Sequence, residues 1–298
     1  MSLIPIALFA YARPDHLQRT LDGLRANGVP KIYAFSDGAR TPEKADAVEA
    51  VRAILRAVDW CEIEIVERER NYGLGVSIRK GVSEVLQRHE AVIVYEDDLV
   101  CLPGTYAYLC AALEHYRDDH RVRSVTGWTH PRVTPEGVGD QPYFDGRAEC
   151  WTWGTWRRGW EGMDTDALSL LEEAKSQGID PNRYGADLPV MAKEEAAKNI
   201  WAVRWLYLHI ARGGLCLRPH YSMVEHIGFD ALATNAVGGD VWANPPLRPV
   251  PPIPAVFPDA IEHVDCVRLW QRAYGSRPPR TGLFWRGIRK LQRTLQRR

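Results

Sequence analysis

The sequence predicts an α/β fold in which helices cover both faces of a mostly parallel sheet. In the first hundred residues, four short apolar segments alternate with stretches whose apolar residues recur at helical spacing. This β-α-β-α-β-α-β order is typical of parallel strands joined by helical crossovers. The fourth segment, AVIVYEDD, is apolar on both faces, as a central strand is. The length of 298 residues, 45% of them apolar, suits one large domain or two closely packed ones.

Each element can be placed in order. We expect strands at 4–11, 31–38, 61–68 and 91–98. We expect helices at 15–26 and from Pro42 to about residue 58, and a glycine-containing loop that enters a third helix within 71–89. Beyond residue 103 we expect a helix at about 104–117, a strand at 121–128, loops over 129–150, and helices near 165–177 and 190–212. Segment 244–258 has seven prolines and predicts an extended arm on the surface.

Composition excludes several classes of protein. No run of about 18 apolar residues predicts a membrane span, and the apolar N-terminus lacks a basic region and a cleavage site, so it is interpreted as a strand. Six scattered cysteines without a C-x-x-C pair favour neither a zinc site nor a disulfide framework. A reducing cytoplasm is the simplest location.

Polar residues follow the predicted strands where a parallel sheet binds ligands, beyond its carboxyl ends. They are Tyr11-Ala12-Arg13, Asp37, and the three adjacent acids Glu96, Asp97 and Asp98. A single Asp after a strand is more often a turn or helix cap. Three contiguous acids repel one another, and a hard cation such as Mg²⁺ or Mn²⁺ would offset that repulsion and could bridge to a diphosphate.

The loop Asn71-Tyr72-Gly73-Leu74-Gly75 is a weaker signal. It matches neither the dinucleotide-binding nor the P-loop pattern, although its glycines allow a ligand to approach the backbone closely. Arg79, on the helix that follows, could contact phosphate or be solvated.

The segments YARPDHL, FSDG, NYGLGVSIRKGV and IVYEDDL, in this order, resemble the donor half of a GT-A-fold glycosyltransferase of the N-acetylglucosaminyltransferase I type and its bacterial surface-polysaccharide relatives. The resemblance implies that the EDD variant of the D-x-D motif binds a nucleotide sugar, with Asp98 on a Mn²⁺ or Mg²⁺ ion and Glu96 and Asp97 on the donor. It also implies that Tyr11, Ala12 and Arg13 lie by the nucleotide, and that Asp37 reaches the base or ribose. Asn71, Gly73, Gly75 and Arg79 are further candidate donor contacts.

The resemblance continues through WTWGTWRRGW and through IWAVRWLYLHIARGGLCLRPHYSMVEHIGFD, and so covers roughly residues 4–235. It implies a donor half at 1–125 and an acceptor half at 126–243. Beyond these the resemblance ends, and composition predicts a Pro-rich arm with a short helix at 244–276 and a basic tail at 277–298. Because sugars stack on aromatic rings, Trp151, Trp153 and Trp156 are candidate acceptor contacts, with burial in the core as the alternative. His226 is a candidate metal or phosphate ligand, although a single histidine is more often structural.

The position of the catalytic base departs from the family pattern. Relatives that read W-D-x-x-W carry an acid inside the later helix, where this chain has Ala202. Inversion at the sugar carbon needs a base close to the acceptor oxygen. We favour Asp230 in the IGFD loop, with a turn cap as its alternative role; the other candidate bases are Glu161, Asp164, Glu194 and Glu195.

The last 22 residues carry eight basic residues and no acid, while the chain as a whole has no net charge. They predict a basic amphipathic helix that binds a membrane surface, or one that packs on the protein's own acidic body. A peripheral position on the inner face of a membrane would suit a lipid-linked acceptor, and nucleic acid is a poor candidate partner.

The sequence thus predicts a metal-dependent glycosyltransferase that transfers a sugar from a nucleotide-diphosphate donor to a saccharide or lipid-linked saccharide hydroxyl. The resemblance suggests a UDP-sugar, with UDP-N-acetylglucosamine as the first candidate, and inversion at the sugar carbon. A sugar-nucleotidyltransferase, or a saccharide-binding protein with a degenerate site, remains as an alternative.

Overall fold

The structure, a computed structural model, describes residues 3–229, 242 and 247–275. Its strands are β1 Ile6–Ala10, β2 Lys31–Ser36, β3 Glu62–Glu67, β4 Ala91–Glu96, β5 Leu99–Cys101, β6 Val122–Thr126, β7 Tyr143–Asp145, β8 Trp153–Trp156, β9 Leu215–Arg218 and β10 Val224–His226. Its helices are α1 Pro14–Ala26, α2 Ala45–Arg56, α3 Leu74–Arg88, α4 Thr105–His115, α5 Arg157–Trp160, α6 Ala167–Ser176, α7 Asp187–Lys198, α8 Trp201–Ala211 and α9 Cys266–Tyr274.

Eight strands form one sheet in the order β3-β2-β1-β4-β8-β6-β9-β7. The first four are parallel, as their helical crossovers require, and this confirms the predicted α/β fold with a mostly parallel sheet. Strand β8 runs antiparallel between β4 and β6, and β7 is antiparallel to β9. The sequence did not predict β7 or β8, since it assigned loops to 129–150 and no strand to the tryptophan-rich segment.

Strand β4 lies in the middle of this sheet and separates two hydrophobic cores. Val92 and Val94 point into the core beneath α3 and α8, while Ile93 and Tyr95 point into the core that contains α1 and α4. Alternate residues of a strand face opposite sides, so burial on both sides requires a continuous apolar run. The prediction of a central strand at this position is confirmed.

The predicted helix at 190–212 is two helices, α7 and α8. Asn199 separates them in a left-handed conformation, with φ of 54°, and ends α7. Asn tolerates this conformation better than most residues, so a helical pattern that continues across it can still be interrupted.

The second half of the chain continues the same sheet. Strand β6 ends at Thr126, so the predicted boundary between donor and acceptor halves falls at the end of a strand within a continuous sheet. That division stays a prediction. Residues 247–258 contain neither helix nor strand, in keeping with an extended arm, and α9 follows them. The basic tail lies outside the described residues.

Helix α9 packs on buried charges at the far edge of the sheet. The guanidinium of Arg218 pairs with Asp145 and Glu149 at 2.9 and 3.1 Å, and the indole of Trp270 donates to Asp145 at 2.7 Å. Because each buried charge has a partner of opposite sign, the C-terminal helix closes this edge without an uncompensated charge. Within the described part of the chain, no helix is long and apolar enough to cross a membrane.

Candidate active site

The ends of β1, β2 and β4 meet at one edge of the sheet, because these strands are parallel neighbours. Glu96 is the last residue of β4, and Asp97 and Asp98 follow it; we call these three residues the acid cluster. Asp97 and Asp98 are only 2% and 6% exposed. The acid cluster is therefore buried at the place where this kind of sheet binds ligands, as the sequence predicted.

Arg13 supplies the opposite charge. Its guanidinium donates to Asp98 Oδ2 at 2.8 Å through one nitrogen and forms a shorter contact with Asp97 Oδ1 through the other. The amide of Tyr11 donates to the second oxygen of Asp97 at 2.8 Å. Between them, Ala12 has a φ of 50°, in the left-handed region, which turns the chain from β1 into α1. The β1–α1 turn thus wraps around the acid cluster.

A single guanidinium does not neutralise three acids. Burial, reinforced by the negative charges of Asp98 and Asp97, raises the pKa of Glu96 to about 8. Burial also raises the pKa of Asp97 to about 6, against the opposing effect of Arg13. The raised pKa values mean that the charged forms of these acids are only partly compensated, and a cationic ligand would relieve their repulsion.

Asp37 organises the glycine-containing loop. One of its carboxylate oxygens accepts the amides of Tyr72 and Gly73, each at 3.0 Å, while Asn71 donates its side-chain amide to the carbonyl of Gly38 at 3.0 Å. Burial raises the pKa of Asp37, and these amides oppose the change. The other oxygen of Asp37 is buried and has no hydrogen-bond partner among the described residues. The Ser77 hydroxyl also lies near the Asp37 carboxylate and lowers its pKa, so Asp37 holds the loop and the start of α3 together.

The glycines of this loop have different roles. Gly73 has a φ of 74° and precedes the first residue of α3, a conformation that favours glycine. A Cβ on Gly75 would overlap the backbone of Asn199, so Gly75 permits packing of α3 against the turn between α7 and α8. Arg79 is half-buried near Arg204, and burial together with that neighbouring charge lowers the pKa of Arg79. The sequence did not predict these contacts of Gly75 and Arg79 with the second half.

The loop after β10 closes over the acid cluster. Strand β10 pairs with β5, which places His226 opposite Leu99, and the amide of Ile227 donates to the Asp98 carbonyl at 2.9 Å. A Cβ on Gly228 would overlap the Asp98 carboxylate, so only glycine fits there without movement. The prediction that this loop approaches Asp98 is confirmed for the residues up to 229. Asp230, our candidate base, lies outside the described residues.

The donors at this place fit a hard divalent cation. Oδ1 of Asp98 is buried and has no hydrogen-bond partner among the described residues. The His226 ring also lies against Gly228, and its Nδ1 accepts the Gly228 amide at 3.1 Å, which leaves Nε2 as the nitrogen that could bind a cation. Among the described residues, no group of three or more His, Cys, Asp or Glu side chains is arranged to hold a metal ion by itself. A cation here would need further oxygen ligands, which a diphosphate can supply.

The three predicted acceptor tryptophans separate in the structure. Trp153 is 1% exposed and stacks on Trp160 at 5.5 Å, while Trp156 is 3% exposed and donates its indole N–H to the Leu113 carbonyl at 3.2 Å. Both belong to the core on opposite faces of β8, so the prediction that they contact the acceptor is wrong. Trp151 is half-buried, and its ring lies 4.5 Å from that of His226, beside the acid cluster.

Two of the alternative bases are engaged elsewhere. Glu195 is 6% exposed, pairs with Arg204 at 2.6 Å and accepts the amide of Ala167 at 3.0 Å. Glu194 pairs with Lys198 on α7 at 2.5 Å. Glu161 and Asp164 are exposed after α5. Glu161 and Asp164 therefore stay alternatives to Asp230.

Sequence reasoning missed the ion pairs of Arg13 and the enforced approach of Gly228. The ion pairs of Arg13 could have been predicted from the segment Y-A-R-P, because an arginine directly after β1 must lie near the end of the neighbouring strand. The approach of Gly228 to Asp98 could not be predicted from the local sequence, since it depends on the pairing of β10 with β5.

The described site is a mostly parallel sheet with buried acids and a counter-charge at its carboxyl edge, where such sheets bind ligands. Residues 6–134 match the family described as Glycosyl transferase family 2, which is less than half of the chain. The matched segment extends from β1 past the acid cluster to the residues after β6. This part of the chain is thus similar to that family, and the relationship to the N-acetylglucosaminyltransferase I type stays a prediction. A comparison with curated proteins found no match.

Similar solved structures include a mannosyltransferase from Pyrobaculum calidifontis in complex with GDP-Man and Mn²⁺, at 15% identity and a TM-score of 0.38, covering 52% of this chain and 44% of that one. A 4-diphosphocytidyl-2C-methyl-D-erythritol synthase from Anaerococcus prevotii DSM 20548 has 16% identity and a TM-score of 0.30, covering 41% and 54%. An apo UDP-glucose pyrophosphorylase has 16% identity and a TM-score of 0.27, covering 49% and 65%. This chain spans less than two thirds of each of them, and similarity at this level assigns no substrate.

Proposed function

We propose that this glycosyltransferase moves a sugar from a nucleotide-diphosphate donor, with a UDP-sugar as the first candidate, to a hydroxyl of a saccharide or lipid-linked saccharide. The observation that supports the proposal is the buried acid cluster, which Arg13 neutralises only in part and in which one oxygen of Asp98 has no partner among the described residues. Such a site favours a divalent cation together with a diphosphate.

The residues of the chain divide the work of the transfer. Asp98, with His226 beside it, would hold Mn²⁺ or Mg²⁺, and a bound cation would offset the charge that builds up on the leaving diphosphate. Asp37 and the loop that it holds would contact the nucleoside. The β1–α1 turn would border the donor, because Tyr11 and Arg13 already surround Asp97.

For the transfer itself, we assign the base to Asp230. Its carboxylate would take the proton of the acceptor hydroxyl as the new bond forms between that oxygen and the anomeric carbon. The bond from the anomeric carbon to the diphosphate breaks at the same time, and the nucleoside diphosphate leaves on the opposite face. This order gives inversion at the sugar carbon.

A thermal-shift panel of UDP, GDP and CMP, each with and without Mn²⁺, tests the donor site. We expect one nucleotide to stabilise the protein in a metal-dependent way, and we expect Asp98→Asn to abolish that shift because it removes the anionic ligand with little change in shape. Glu225→Gln, an exposed carboxylate on β10, is the control and should retain the shift. Equal shifts in all three proteins would place the metal elsewhere and overturn the assignment.

Turnover separates the proposal from its alternatives. Purified protein with Mn²⁺ should slowly hydrolyse one nucleotide sugar and release the nucleoside diphosphate, and Asp230→Asn should reduce transfer more than nucleotide binding. Release of pyrophosphate from a nucleoside triphosphate and a sugar phosphate would instead indicate a nucleotidyltransferase. Saccharide binding without turnover of any common nucleotide sugar would indicate a binding protein.

A further inference from the structure

Three indole rings lie together on one side of the acid cluster; we call Trp128, Trp151 and Trp242 the tryptophan cluster. The ring of Trp128 is 4.8 Å from that of Trp151, at an interplanar angle of 87°, and 6.2 Å from that of Trp242, at 58°. Trp128 is 3% exposed, whereas Trp151 and Trp242 are half-buried. The two outer rings are therefore partly exposed, and the Trp242 ring also stacks on Tyr274 at 5.3 Å, so a ligand could reach only its remaining surface.

The backbone holds two of these rings in a fixed relation. Thr152 has a φ of 47°, which is unfavourable for a β-branched residue, and it is fully buried. Its carbonyl accepts the amide of Gly127 at 2.8 Å, and the Thr126 hydroxyl lies 3.1 Å from the Trp151 carbonyl and accepts the Trp128 amide at 3.0 Å. A strained residue persists only where its surroundings over-determine it, and such places are often functional.

Trp128 has an enclosed polar group that lacks a partner. Its indole N–H is buried and finds no hydrogen-bond acceptor among the described residues. Four other tryptophans with buried rings donate this group to an acceptor, and these are Trp156, Trp160, Trp205 and Trp270. Trp153 also lacks an acceptor, but it lies inside the core stack of aromatic rings. A buried donor without an acceptor favours entry of a group that can accept.

The tryptophan cluster begins beside the donor site. The Trp151 ring contacts His226 at 4.5 Å and Phe229 at 5.9 Å, and these two residues flank Gly228, which lies against Asp98. At the other end, the guanidinium of Arg132 lies 5.7 Å from the Trp242 ring. A ligand on the cluster would thus extend outward from the place where Asp98 and the loop after β10 meet.

We propose that the tryptophan cluster is the acceptor subsite and that it binds a pyranose ring of the acceptor saccharide. The apolar C–H face of the sugar packs on Trp151 and Trp242, and a ring hydroxyl accepts the indole N–H of Trp128. Indole rings supply a rigid apolar surface with a polar edge, which suits a ligand that has hydroxyls around an apolar face. This subsite rests on the proposed transferase function, and it replaces the buried Trp153 and Trp156 as the place where the acceptor binds.

Saccharide binding can be measured without the donor, which keeps the two proposals separable. We would titrate the methyl glycosides of glucose, galactose, mannose and N-acetylglucosamine by saturation-transfer NMR in the absence of nucleotide. We expect at least one of them to bind the wild-type protein, and Trp242→Ala and Trp128→Phe to raise its apparent Kd at least tenfold. Trp128→Phe retains a buried ring and removes only the N–H. Trp156→Phe makes the same change in the core and should leave Kd within twofold.

Each other outcome overturns the subsite. Wild-type protein that binds none of the four glycosides, or variants of Trp128 and Trp242 that bind as wild type does, would exclude it. Binding of octyl glucoside but of no methyl glycoside would assign the rings to an alkyl chain instead of a sugar. If Trp128→Phe does not fold, the half-exposed Trp242 still decides the question. Metal-dependent stabilisation by nucleotide should be unchanged in Trp242→Ala, because the donor site does not include this ring. Loss of glycoside binding with an intact nucleotide shift therefore concerns the subsite alone. A wild-type protein without the nucleotide shift would instead contradict the donor site.

Discussion

Replacement of Arg13 by methionine should reveal the electrostatic cost of the acid cluster. Arg13 contacts both Asp97 and Asp98, and the side chains of Arg13 and Asp97 are 18% and 3% exposed. Removal of one partner from a buried ion pair typically costs about 3–5 kcal/mol, because the other charge is left uncompensated. Since Arg13 keeps some contact with solvent, we expect the free energy of unfolding to fall by about 3 kcal/mol at pH 7.5.

The cost should depend on pH in a defined direction. With Arg13 present, the pKa of Asp97 is already raised to about 6 and that of Glu96 to about 8. A raised carboxyl pKa stabilises the fold below the unfolded pKa of about 4, and this contribution is lost as pH rises through the folded pKa. Removal of Arg13 raises both values further. The destabilisation by Arg13→Met should therefore be large at pH 8 and small at pH 5.

Urea unfolding of metal-free protein at both pH values measures this effect. Arg56→Met is the matched control, because Arg56 also pairs with two acids, Glu49 and Glu67, but its side chain is 49% exposed. Exposed pairs contribute little, so this variant should unfold almost as the wild type does. Equal losses for the two variants, or a loss for Arg13→Met that is the same at pH 5 and pH 8, would refute the argument. The double variant with Asp97→Asn should recover part of the stability.

Three further results are expected. Glu96→Gln should melt at a higher temperature than the metal-free wild type at pH 9, and this gain should be smaller at pH 6, because the variant lacks a carboxyl whose pKa is about 8. Equal melting temperatures of variant and wild type at pH 9 would contradict this. Gly228→Ala should destabilise the protein by about 1–3 kcal/mol in urea unfolding and weaken the nucleotide-dependent shift, because its Cβ meets the Asp98 carboxylate. Asp37→Ala should release two loop amides and weaken nucleotide binding in the thermal-shift panel, with unfolding in urea to separate this from loss of stability; unchanged binding would exclude Asp37 from the donor site.

The first hundred residues contained enough information for their fold. Strand β4 shows why: a strand that is buried on both faces must be apolar at every position, and this pattern survives in a single sequence. Strands β7 and β8 were missed for the opposite reason. They have three and four residues, which is too short to show an alternating pattern, and glycine interrupts β8, although both strands contain aromatic residues that favour strands.

The acid cluster was predictable because its residues are adjacent in the chain and follow a recognisable strand. The contacts that surround the acid cluster were not predicted, since they come from Arg13 after the neighbouring strand and from Gly228, more than a hundred residues later. Composition also could not separate Trp151 from Trp153. Two residues apart, they differ because the chain turns at Thr152 with φ of 47°, which directs one ring to the site and the other into the core.

The sequence by itself thus determined the four parallel strands and the position of the acids, because each depends on short-range patterns or on residues that are neighbours in the chain. Only the tertiary structure decided which charge compensates the acids, which tryptophan lies beside them and which candidate bases are already paired. Those questions depend on burial and on contacts between distant segments, and burial is what sets the cost of a charge and the accessibility of a ring.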